Sequence, residues 1–170
     1  MGTEQSVPEL VAAAKDDIKA CDDRVSEVLK LVEDQKASEA ELDDLRAATV
    51  ALEAAAVDVF SLFEARMQHH FRRGPFSRKL TALLKDAGQR DLANRVHHYY
   101  LAINVLKHGK GASYRELRDN PTPLFGVSKS DAQSAEQTDG PSSLIDITVA
   151  GFFDGLTATI LEAYDFLENR

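Results

Sequence analysis

Residues 25–45 read VSEVLKLVEDQKASEAELDDL, and this stretch decides the fold. Its first half closes an apolar stripe made by Val11, Ala14, Ile18, Cys21, Val25, Val28 and Val32, which recur at steps of three and four residues. That spacing places them on one face of a helix and predicts a helix from about Pro8 to Gln35. Ser6 is placed to cap it, and Pro8 suits a first turn, where a missing N–H costs nothing. The second half restarts at Ser38 with Glu41 three residues on, a capping box. A second stripe then follows through Leu42, Leu45, Thr49, Leu52, Ala56, Val59, Phe63 and Met67, ending near Phe71 ahead of Gly74-Pro75. Two long amphipathic helices joined by a two-residue break predict an antiparallel hairpin.

Downstream, Phe76 to Ala87 predicts a third helix with Leu80, Leu83 and Leu84 inward, closed by Gly88. A fourth spans about Arg90 to His108 and stops at Gly109. A short helical turn is expected over Tyr114–Arg118, ended by Pro121 and Pro123. Residues 126–143, GVSKSDAQSAEQTDGPSS, are small and polar and predict a long loop. The last helix is expected from about Thr148 to Asn169. Strand patterning is confined to Leu144–Ile147. The expectation is a single all-α domain over residues 1–170, an up-and-down bundle of four to five helices.

Composition narrows the setting. Cys21 is the only cysteine, so no intramolecular disulfide can form. The N-terminus lacks the basic-then-apolar layout of a signal peptide, and no long uncharged apolar run is present. A cytoplasmic protein away from the membrane is expected. The net charge of −8 conceals segregation. Residues 1–65 carry 6 basic and 16 acidic side chains, residues 66–118 carry 12 and 3, and residues 119–170 carry 2 and 9. The basic middle third reads either as an anion-facing surface or as a segment packed between acidic helices that balance it.

The fourth helix concentrates the chemistry. On a helical wheel Asn94, His97, Leu101, Asn104 and His108 fall within about 40° of Arg90. Leu92, Val96, Tyr99, Ile103 and Leu106 lie opposite and should meet the core. The polar stripe reads as a groove or subunit interface, or as a solvated face. His108 ends the helix, where an imidazole can pass protons near neutral pH. Lys107, Lys110, Arg115 and Arg118 stand close by in sequence and suit a phosphate ligand, which Gly109 and Gly111 would let approach the backbone. The pairs His69-His70 and His97-His98 point about 100° apart on a helix, so each pair offers one ligand to a given site. With no HExxH, no metal site is expected. Gly109-Lys110-Gly111 is too short for a Walker or Rossmann loop, and no cofactor is expected.

The run Ile103-Asn104-Val105-Leu106-Lys107-His108-Gly109, late in a helix of such a bundle, resembles the signature of the HEPN superfamily. The resemblance implies a four- or five-helix bundle, commonly dimeric, in a group rich in metal-independent ribonucleases of toxin–antitoxin, defence and RNA-processing systems. It maps the motif's polar residue to Asn104 and its histidine to His108, as catalytic residues. The motif's arginine falls on Ile103, a departure. A second frame runs from Arg90 to His97 and Tyr99. The resemblance then implies RNA as substrate or ligand, with Arg90, His97, Lys107, Lys110 and Arg115 on the phosphate. It also implies a homodimer and a protein partner such as an antitoxin or defence component. Three readings stay open: a ribonuclease, an inactive HEPN-like binding or scaffold module, and a helical protein that uses its acidic hairpin to bind a protein.

Overall fold

A computed structural model describes residues 4–128, 144–149 and 151–170. Helix α1 covers Val7–Glu33, α2 Glu39–Met67, α3 Phe76–Asp86, α4 Arg90–His108, α5 Ala112–Asp119 and α6 Phe152–Glu168. A 3₁₀ turn, Gln68–His70, prolongs α2. The strands β1 (Gly126–Val127) and β2 (Ile145–Asp146) pair antiparallel. The molecule is an all-α helical bundle with this one short β-ladder attached.

Both expected capping motifs are present. Ser6 and Glu9 form a reciprocal box at α1, and Ser38 and Glu41 form one at α2, with bonds of 3.0 and 3.2 Å. Arg24 pairs with Asp44 at 2.8 Å near the turn, and Glu4 with Arg66 at 2.7 Å at the far ends. Those are the positions an antiparallel hairpin of helices would bring together. Val32, expected on the inner stripe, is 41% exposed, because it lies in the last turn beyond the reach of its partner helix.

Helix α4 occupies the middle of the bundle and touches α2, α3, α5 and α6. The expected core residues Leu92, Val96, Tyr99 and Ile103 are buried. Leu101, Ala102 and Val105 are buried as well, so the second half of α4 is enclosed around most of its circumference. The expected helical turn at Tyr114–Arg118 is a two-turn helix, Ala112–Asp119, that folds back along α4 after Gly109, whose φ of +73° turns the chain. Helix α6 begins at Phe152 instead of Thr148. The Asp146 side chain accepts from the Thr148 N–H at 2.8 Å and from its hydroxyl, and Gly151 (φ +82°) makes a left-handed turn before the helix starts. Of the expected polar loop, Gly126–Val127 form β1, while residues 129–143 lie outside the described residues.

Candidate functional site

The polar stripe expected along α4 is not one surface. Leu101, in its middle, is buried, and α5 covers the region around it. Arg90 and His108, both exposed, sit at opposite ends of the helix, about 27 Å apart along its axis for 18 residues at 1.5 Å each. Within one chain Arg90 therefore cannot serve a phosphate held by His108. Ile103 is 1% exposed, so the position that the HEPN-like motif gives to arginine faces the core. An arginine there would bury an unpaired charge.

The remaining stripe residues divide in two. Asn104 is half-buried and donates from Nδ2 to Ser113 Oγ of α5 at 3.3 Å. His97 is half-buried and its Nε2 bonds the Glu116 carboxylate, also of α5. These two contacts fasten α5 to α4. Lys107, His108, Lys110 and Arg115 are exposed around the α4–α5 turn. His108 and Asn104 are one turn apart on the same helix face, so the expected catalytic pair is juxtaposed, with Asn104 committed to Ser113.

The structure instead centres on an open cleft of about 510 Å³ between α3, α4 and α5. Arg78, Thr81 and Lys85 line it from α3, His97 and Tyr100 from α4, and Ser113 and Glu116 from α5. Its size falls in the range of small-ligand clefts. Arg78 and Lys85 lie two turns apart on one face of α3, both exposed, and neither forms an ion pair among the described residues. Two free cations face a histidine that is oriented by a carboxylate. That arrangement can hold an anion and hold or move a proton at His97. Next to it, burial pushes the His98 imidazole below its ordinary value, with His97 adding to the effect, while the Asn94 carbonyl and Glu116 oppose it.

Sequence reading placed His97 here but missed Arg78, Lys85, Tyr100, Ser113 and Glu116. The one available signal was Glu116, a single acid within the basic run from Lys107 to Arg118. It had no partner in sequence and so implied one in space.

Two expectations about charge and metal change. Of the twelve basic residues in 66–118, only Arg66, Arg95 and Arg118 reach acids outside that segment among the described residues, Glu4, Glu162 and the adjoining Asp119. Arg118 pairs with its neighbour Asp119, and Arg72, Arg73, Arg78, Lys79, Lys85, Arg90, Lys107, Lys110 and Arg115 are all exposed. Internal balance therefore accounts for little of the basic segment. The His69 and His70 rings, expected to diverge, stand in the 3₁₀ turn with their centroids 4.3 Å apart. Among the described residues no helix is long and apolar enough to cross a membrane.

No protein-family model, curated protein or solved structure matches the chain.

Proposed function

We propose that the chain is an RNA-binding, HEPN-like helical module whose α3–α5 side holds the phosphate backbone. One observation carries this: the nine Arg and Lys side chains of residues 66–118 that are exposed and form no direct ion pair among the described residues. A nucleic acid carries a condensed layer of cations, and such a surface gains by releasing them as it neutralises phosphates. The cleft supplies a fixed point within that surface, with Arg78 and Lys85 opposite His97 and Glu116. The resemblance adds a homodimer, an antitoxin or defence component as protein partner, and a cytoplasmic setting.

A second reading, a metal-independent ribonuclease, is favoured by His108, which is exposed beside Lys107 and Lys110 and one turn from Asn104. The buried Ile103 weighs against it, and binding without cleavage is the main reading.

The test is RNA binding across a salt series, with a cleavage assay in chelator. Binding should weaken steeply with salt. Arg78→Ala with Lys85→Ala should lower the slope by roughly 0.7 for each phosphate no longer neutralised. Salt-independent binding, or none, would overturn the proposal. Cleavage in chelator that disappears in His108→Ala would establish the second reading. Absence of RNA binding would turn attention to the acidic α2, where Val50 and Leu62 are 60% and 42% exposed and would suit a protein partner.

A further inference from the structure

The ends of α2 and α6 meet at a cluster of side chains that the proposed RNA surface does not use. Helix α2 stops at Met67, and in the 3₁₀ turn that follows, Gln68–His70, two imidazoles lie with their centroids 4.3 Å apart. His69 Nδ1 lies 2.9 Å from the Arg66 carbonyl oxygen. A carbonyl only accepts, so the proton sits on Nδ1 and the Nε2 lone pair is left available. His70 Nε2 lies 3.2 Å from Glu168 Oε1 of α6. One ligand atom from each of His69, His70 and Glu168 falls within 4.8 Å of the others.

We infer that His69, His70 and Glu168 form a site for a late first-row divalent cation of the Zn²⁺ class, tying the end of α2 to the end of α6. With metal–nitrogen bonds of about 2.0–2.1 Å, ligand atoms around a tetrahedral ion stand about 3.3 Å apart. His70 and Glu168 already have that separation. His69 is exposed and needs a swing on the order of 1–2 Å to complete the set. Two imidazoles and one carboxylate select zinc-like ions over Mg²⁺ and Ca²⁺, which prefer all-oxygen sites. The Nδ1–H bond from His69 to a backbone carbonyl is the outer contact that metal-bound histidines usually make, and it sets the tautomer that leaves Nε2 free. Arg66, three residues before His69, has its charge met by Glu4 at 2.7 Å, while Arg72, two residues past His70, is exposed to solvent. Three protein ligands leave a fourth position open to water.

Zn²⁺ titrated into tag-free, chelator-treated full-length protein tests this, with calorimetry and thermal unfolding as readouts. One equivalent should bind and raise Tm, and Mg²⁺ at the same concentration should do neither. His70→Ala and Glu168→Gln should each weaken Zn²⁺ binding by more than about tenfold, the loss that even a change to a group hydrogen-bonded to a ligand brings. His69→Ala, at an exposed position, tests the site with the least risk to packing, and helicity by circular dichroism checks each variant. His97→Ala with His98→Ala should leave binding intact. Failure of the wild type to bind, wild-type affinity in Glu168→Gln, or loss of binding only in the His97/His98 variant would each overturn the site. RNA binding is measured separately and does not bear on these outcomes.

Discussion

Glu53 is the residue whose surroundings conflict most with its chemistry. It lies buried on α2, and burial alone pushes its carboxyl up to about 7 from 4.5. Unfolded, the group ionises near 4.5; folded, it keeps its proton until about 7. Between those values the unfolded chain releases a proton that the folded chain retains. Stability is therefore lost as pH rises through this window, and stays lower above it. Glu53→Gln mimics the neutral acid and should remove the loss. Its Tm should exceed wild type by about 2–4 °C at alkaline pH, the effect of roughly 1 kcal/mol in a chain this size, and match wild type at acid pH. Thermal unfolding at the two pH values checks it, and an equal shift at both would show that charge is not the cause. The Ser38–Glu41 cap was legible because its partners are three residues apart. Glu53 was not. Its burial depends on what packs over α2, and the run Ala54-Ala55-Ala56 beside it marks no inner face sharply.

Among elements, α4 and α6 meet tightly where Gly155 faces Tyr99. A Cβ at position 155 would collide with the Tyr99 hydroxyl. Tyr99 is 1% exposed and packs against Phe125 and Phe152 with centroids 6.1 and 5.7 Å away, so it has little room to withdraw. Gly155→Ala would gain about 1 kcal/mol in helix propensity, but overpacking should dominate and destabilise by about 1–3 kcal/mol. Adding Tyr99→Phe should recover most of the loss. Urea unfolding of the two single variants and the double variant measures the coupling, and a stabilised Gly155→Ala would refute the contact. Helix existence was readable from periodicity, and the expected span of α4 matches the observed one. What enclosed α4 was not readable. Leu101 lies on its polar stripe and is nevertheless buried, because α5 returns over it through hydrogen bonds between residues 9 and 19 positions apart in sequence. The cleft depends on that return, and so its lining stayed hidden while His97 did not.

At the scale of the whole molecule, charge segregation was visible in the sequence, but its meaning required the ion pairs. Few of them cross between the basic and acidic regions. Like charges therefore remain close together on each side, and their repulsion works against the compact state. Raising NaCl from about 20 mM to about 300 mM shortens the screening length from roughly 20 Å to under 10 Å and should raise Tm. Thermal unfolding in the absence of RNA checks this, and a falling Tm would mean that attractive pairs dominate. The pairing of Glu4 with Arg66 and of Glu168 with His70 has another consequence. Both ends of the described chain are held against one short segment, residues 66–70. Polypeptide attached at either end would leave the bundle from the same pole. The bundle could thus be spliced into a surface loop of a host protein without prising the host apart, and two tethered cargoes would emerge side by side.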